Sequence, residues 1–445
     1  MKKYTIALCI LCIFMMVACG KKTTEEEITD AVNDTAVTED ITEETALNDK
    51  ENPDDAVSED SAEDIVSDTD SEDTPEKEDS LPDDVSVIPA DFDASAYNVD
   101  ADCFTLDSLE FTKNLKAGWN LGNTLDCQST DGLNAEVAWG MPFTTEKLID
   151  LIKESGFTSI RIPVSWGYHT TGDNYVIDEE WMNRVNEIVD WAIDADLYVI
   201  INSHHDNDFY YPTEEHLEKS LHYLECIWWQ IGDRFRDYDE HLIFEGMNEP
   251  RLSGTDLEWY FNKGDSQGVA SLRCIEKQNQ IFVDTVRKTG GNNTLRYLMV
   301  SAYAGNPDIT MDNGFVLPTD PANHLIMSIH AYSPYDFAMG FPGYNVWNSE
   351  KVSELSFMDK ANDYFVANGV GVAITEMGAI NKKNTASRVL WFDDYTKKAA
   401  SFGMPCFVWD NGNNGIGVET FAFISRSGYK AIYPELLEAL TKNYQ

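Results

Sequence analysis

The chain has 445 residues, with 78 Asp and Glu against 32 Lys and Arg, for a formal net charge of −46. Nucleic-acid binding depends on basic side chains that displace counterions from phosphates, so this balance excludes it. Attraction to an anionic membrane surface is excluded for the same reason.

Residues 1–19 read as a signal peptide. Lys2 and Lys3 precede an apolar run from Tyr4 to Ala18, too short for a membrane-spanning helix and of the length of a secretory core. It ends in Met16-Val17-Ala18-Cys19-Gly20, which resembles a bacterial lipoprotein processing site with the Cys19 thiol as lipid acceptor. An ordinary cleaved signal with an incidental Cys is the alternative. Residues 20–100 follow as an acidic linker. From residue 21 it carries 29 acidic side chains and four Lys, no Gly and no Arg, and its only aromatics are Phe92 and Tyr97. Little apolar surface and strong self-repulsion predict a disordered tether. The first arginine of the chain is Arg161.

Residues 101–445 are the expected catalytic domain. Five cysteines lie in it (Cys103, Cys127, Cys226, Cys274, Cys406), with no Cys-x-x-Cys pair, so neither a zinc framework nor a dense disulfide scaffold is expected. In chain order, strands are predicted at 115–120, 159–164, 198–203, 242–246, 297–301, 326–330, 370–375 and 405–409. Helices are predicted at 144–154, 179–195, 221–235, 275–287, 359–367 and 386–401, the first opened by Thr144-Thr145. Eight strands interleaved with helices predict an α/β fold, a (β/α)₈ TIM barrel. A doubly wound sheet also alternates, but no Gly-rich phosphate loop opens a helix here.

Barrel enzymes carry their chemistry at the C-terminal ends of strands. Those ends read Trp119-Asn120, Arg161, His204-His205-Asp206, Asn248-Glu249, Tyr303, His330-Ala331-Tyr332, Glu376 and Trp409-Asp410. Two of these residues, Glu249 and Glu376, stand where barrel closure brings them face to face. A retaining glycoside hydrolase needs such a pair about 5–5.5 Å apart, one carboxylate attacking the anomeric carbon and the other working as acid and base. Glu376 is the expected nucleophile and Glu249 the expected acid/base. A lone Glu would read as a solvated loop residue; the pairing overrides that.

The neighbours support the reading. Arg161, in an otherwise apolar strand, needs a partner, and a two-pronged contact to Glu376 would keep that carboxylate ionised. Asn248 is placed to bond a sugar 2-OH. His330 and Tyr332, two apart on a strand, share a face, with Tyr332 directed to Glu376. His204 and His205 alternate, and His204 is the one expected to face substrate. Trp409 is a stacking platform for a pyranose; Trp139, Trp166, Trp259 and Trp347 are platforms or core. The His204-His205-Asp206 cluster has metal-ligand residue types, but its place fits a sugar site, and no metal is assigned.

Gly118-Trp119-Asn120-Leu121-Gly122-Asn123-Thr124, Arg161-Ile162-Pro163-Val164-Ser165-Trp166, His204-His205-Asp206, Ile243-Phe244-Glu245-Gly246-Met247-Asn248-Glu249-Pro250 and Thr375-Glu376 resemble glycoside hydrolase family 5. The longer stretches are similar to its subfamily 4, which includes bacterial endo-β-1,4-glucanases. The resemblance runs over residues 105–442. It implies a (β/α)₈ barrel, retaining chemistry and no cofactor, with Glu249 as acid/base and Glu376 as nucleophile. Arg161, His204, Asn248, His330, Tyr332 and Trp409 match further active-site positions, and Asn120 is a further supporting candidate. Thr375-Glu376-Met377 departs from the Gly-Glu-Cys common in relatives, which changes the packing beside the nucleophile.

The expected activity is therefore cellulase, with xyloglucan and mixed-linkage β-glucan as alternative substrates and β-mannan more distant. A catalytically inert polysaccharide-binding lipoprotein is the rival class. The expected partners are the glucan and, through Cys19 only, a bacterial membrane. The enzyme is expected to act as a monomer on the cell surface, or secreted if Cys19 stays unmodified. Its pH optimum is expected to be acidic to neutral, with Glu249 protonated while Glu376 is ionised.

Overall fold

The computed structural model describes residues 86–445. The segment expected to be a signal peptide, Cys19 and most of the acidic stretch lie outside these residues.

Eight parallel strands close into a barrel: β1 (Ala117–Leu121), β2 (Ser159–Ile162), β3 (Tyr198–Asn202), β4 (Leu242–Glu245), β5 (Leu298–Ser301), β6 (Leu325–His330), β7 (Gly371–Met377) and β8 (Cys406–Asp410). Each pairs with its sequence neighbours, and β1 pairs with both β2 and β8. Among the surrounding helices are α1 (Glu146–Glu154), α2 (Glu179–Asp194), α3 (Leu217–Arg234), α4 (Ser266–Lys288), α5 (Pro307–Asp312), α6 (Phe357–Tyr364), α7 (Thr385–Ser401) and α8 (Pro434–Thr441). Thr145 caps α1 by accepting from the Leu148 N–H, as a Thr before an apolar-periodic run should. Helices α5 and α8 are short and start on Pro, which left them unread in the sequence.

Side chains alternate along each strand, so the barrel fills in layers. The lower layer is apolar, with Ile200, Ile243, Met299, Ile326, Ala373 and Phe407 packed on Phe111 and Leu115. The latter two come from the helix Ser108–Leu115, where Phe111 stacks on Tyr297 at 3.5 Å. Two residues further along, the strands carry Asn120, Arg161, Asn202, Glu245, Ser301, Ser328, Thr375 and Trp409, all buried. The polar strand ends thus form the upper layer, above an apolar plug that keeps water from below. The five domain cysteines are free thiols.

Residues 86–100 differ from the tether expectation. Phe92 packs edge-on against Trp229 at 4.8 Å, the Arg236 guanidinium lies 3.6 Å over the Tyr97 ring, and the Asp100 N–H donates to Asn292 at 2.7 Å. The two aromatics of the acidic stretch dock it on the barrel, so the ordered domain begins before residue 101.

Candidate active site

Arg161 is the hub of the upper layer. Fully buried, it donates from Nε to Glu245 at 2.7 Å, from Nη1 to Glu376 at 2.8 Å and to Asn120 at 2.9 Å, and from Nη2 to Asn248 at 2.7 Å. Its contact with Glu376 is therefore single-pronged rather than two-pronged. The second prong goes to Glu245, whose role the sequence reading missed. Glu245 also accepts from Asn202 at 2.8 Å and Ser328 at 2.6 Å, and this satisfies a carboxylate that would be prohibitive to bury alone. Ser328 shares a 2.5 Å hydrogen bond with Thr375, so the unusual Thr before the nucleophile is absorbed by a hydroxyl on the next strand.

Glu249 stands on the turn after β4. Asn248 N–H bonds to the Ser203 carbonyl at 2.9 Å and the Trp228 indole to the Gly246 carbonyl at 3.0 Å, which fixes that turn to the barrel wall. Glu376 lies on β7 opposite His330, where the register between β6 and β7 shifts. Such an irregularity re-aims a side chain beside a site. One oxygen of Glu249, one of Glu376 and a ring nitrogen of His330 all lie within 4.8 Å of one another. His330 Nδ1 is 2.7 Å from Glu249 Oε1 and 3.6 Å from Glu376 Oε2, and the Tyr332 hydroxyl donates to Glu376 at 3.0 Å.

These contacts set the charges. Burial lowers the His330 pKa, but the Glu376 and Glu249 carboxylates outweigh it and raise the imidazole above its ordinary value. Burial pushes Glu249 up, but the His330 hydrogen bond and charge, with Arg251 and His205 behind them, bring it down to about 2. Burial raises Glu376 above the ordinary carboxylate value against the pull of His330 and Arg161. Both shifts favour a charged His330 one hydrogen bond from Glu249, the carboxylate expected to hold the proton.

The remaining sequence candidates divide. Trp409 lies with its ring parallel to His204 at 5.7 Å, both forming one wall. Gly122 permits this placement, since a Cβ there would sit 2.7 Å from the Trp409 ring. His204 is bonded to Asn202 at 3.1 Å, and burial first, then neighbouring cations, lowers its pKa well below the ordinary value. His205 lies further out beside Trp139 and is brought down to about 4 by burial and Arg251. Asp206 turns away: its oxygens accept from the Trp166 and Gly167 amides and the Ser203 hydroxyl. It therefore does not join the two histidines in a ligand set. Asp126 comes within 4.8 Å of them instead, though its oxygens already accept from the Asn123 and Thr124 amides. Trp166 and Trp347 are core, bonded to the Asn202 carbonyl and to Asp394. Trp139 and Trp259 are exposed on the rim.

A second missed residue is Arg251. It donates to the Glu249 carbonyl at 2.9 Å and carboxylate at 3.3 Å, and its guanidinium lies 4.1 Å over the Trp259 ring. Its place directly after the Asn-Glu-Pro turn was the only signal available.

A family model described as Cellulase (glycosyl hydrolase family 5) matches residues 122–415. The chain belongs to glycoside hydrolase family 5. It is 40% identical over 328 residues to Endoglucanase B of Ruminococcus albus, covering 73% of this chain and 78% of that one. It is also 40% identical over 341 residues to the Cellulase/esterase CelE of Acetivibrio thermocellus, which spans 76% of this chain but only 40% of that enzyme. The solved GH5-4 broad specificity endoglucanase of Ruminococcus champanellensis, with bound cellotriose, superposes with a TM-score of 0.72 at 44% identity. It covers 76% of this chain and 98% of its own. The family 5 match agrees with the barrel closure and with the two glutamates at the ends of its strands.

Proposed function

We infer that this family 5 member is an endo-β-1,4-glucanase that cleaves with retention of anomeric configuration. The observation that carries this is the facing of Glu249 and Glu376 across the barrel mouth, with carboxylate oxygens within 4.8 Å. That spacing suits a nucleophile and an acid/base; an inverting pair stands about 6.5–9.5 Å apart to admit a water. Glu376, oriented by Arg161 and Tyr332, attacks the anomeric carbon. Glu249 protonates the departing glycosidic oxygen, drawing on the proton that His330 holds across their hydrogen bond. In the second step Glu249 accepts a proton from water, which attacks the glycosyl-enzyme and releases the sugar. Asn248, its carbonyl oxygen already held by Arg161, keeps its amide N–H for the sugar 2-OH. Trp409 carries the ring.

The exposed Trp139 and Trp259 leave the rim open, which supports action on mixed-linkage β-glucan and xyloglucan beside cellulose. The deciding experiment is hydrolysis of carboxymethylcellulose, barley β-glucan, xyloglucan and mannan by residues 86–445. Release of oligosaccharides from the β-1,4-glucans is expected. Failure on all four would leave only a binding role.

The same reading places the enzyme outside the cell as a monomer, anchored by a lipid on Cys19 and spaced from the membrane by the acidic linker. Metabolic labelling with a palmitate analogue should mark the wild-type chain and not Cys19→Ala; equal labelling would refute the anchor.

A further inference from the structure

A third carboxylate, Glu419, is exposed at the same end of the barrel as the two that react. It belongs to the loop after β8 and lines a cavity of ≈ 420 Å³ with Asn123, Trp139, Met141, Asn411 and Asn413. Its backbone is left-handed, with φ of 53°, a conformation natural to Gly and strained for Glu. The strain is imposed from both sides. The Asn411 and Asn413 amides donate to the Glu419 carbonyl at 3.1 and 2.7 Å, and Asn411 follows Trp409-Asp410 directly at the end of β8. Among the described residues the side chain has one long bond, from Asn411 at 3.4 Å, and its oxygens are otherwise open to solvent or to a ligand.

Gly would fit this backbone without strain and would keep both amide bonds, because these use only the carbonyl. A loop selected for shape alone would therefore favour Gly. The carboxylate is what Glu adds, and it is added at the cleft. The side chain stays open to solvent, yet partial loss of hydration raises its pKa above the ordinary range and the charges of Glu376 and Glu249 add to the rise. Among the described residues this carboxylate meets an amide and no cation. Its natural partners are paired hydroxyl donors, which adjacent equatorial positions of a glucosyl residue supply.

We propose that Glu419 is a specificity-determining residue that accepts hydrogen bonds from adjacent hydroxyls of a glucosyl unit seated between Trp139 and Trp409. The inference rests on the endoglucanase reading. Strain in the loop is then the cost of aiming the carboxylate at the sugar, in line with strain gathering at ligand clamps.

The test is steady-state kinetics of wild type, Glu419→Gly and Glu419→Gln on cellotetraose and barley β-glucan, with Tm for each. Both variants should show KM raised about tenfold, as loss of one charge-assisted hydrogen-bond pair implies. Their kcat should stay within about threefold, and the Gly variant should melt no lower than wild type. A Gly variant with wild-type KM would overturn the proposal, as would losses confined to kcat. A Gly variant melting well below wild type, together with a Gln variant of wild-type KM, would assign Glu419 to loop structure and overturn it too. Gln, which keeps the shape, reports on the carboxylate even if Gly disturbs the fold. Wild type inactive on both glucans would bring down the endoglucanase reading as well; active wild type with unchanged variants removes this inference alone.

Discussion

Glu249 and Glu376 have the same side chain and differ in neighbours. Glu376 meets Arg161 and the Tyr332 hydroxyl, donors that favour a carboxylate nucleophile, while Glu249 meets His330. Glu249→Gln keeps the shape but can neither give nor take a proton, so kcat should fall about 10²–10⁴-fold, the usual worth of general acid–base catalysis. A fall under threefold would contradict the role. The rate should also be bell-shaped in pH. On the acid side activity is lost as pH falls through the Glu376 pKa, which lies above the ordinary value of about 4.3 because burial raises it. On the alkaline side it is lost as pH rises through that of the His330–Glu249 pair, held above the ordinary imidazole value of about 6.5 by two carboxylates. A kcat/KM profile flat from pH 5 to 9 would refute the proton assignment. Much of this was legible in the sequence, because each hydrophobic run stops on a polar or aromatic residue. The hub was not. Glu245 reads as part of an ordinary strand, and only barrel closure shows that Arg161 divides its donors among Glu245, Glu376, Asn120 and Asn248. Glu419 was equally hidden, since an irregular loop has no period to mark which side chain turns inward.

At the scale of elements, the strands were legible because a parallel strand buried on both faces reads as a short continuous apolar run that stops where the polar layer begins. All eight predicted strands fall within two residues of those observed at each end. Leu115 is an exception in kind: it ends the helix Ser108–Leu115 that plugs the barrel, and Lys116 breaks the chain direction with a φ of 51°. The N-terminal segment was misplaced because composition averages over a window, while docking depends on single side chains. Phe92 and Tyr97 are enough to hold residues 86–100 against Trp229 and Arg236. Aromatic contacts of this sort contribute about 0.5–1.5 kcal/mol each. An enzyme starting at residue 101 should therefore melt a few degrees below one starting at residue 86, with equal kcat, because the segment lies against α3 and the turns that follow α3 and α4, not at the barrel mouth. Equal melting temperatures would show that the contacts contribute nothing.

For the whole molecule, the acidity divides by position. The domain carries an acidic surface, neutral glycans impose no charge requirement, and the carboxylates that matter are the few gathered at the barrel mouth. The fold serves them by stacking an apolar plug beneath a polar layer, so that Arg161 and Glu245 stay dry and rigid while the rim is open to polymer. The account rests on Glu376 being the residue that bonds to sugar. Its most direct test is incubation of residues 86–445 with an activated 2-deoxy-2-fluoro-cellobioside, followed by peptide mass spectrometry. The account predicts one added fluoro-cellobiosyl group on the peptide containing Glu376, lost in Glu376→Ala. A label on any other residue, or an active enzyme that is never labelled, would contradict it.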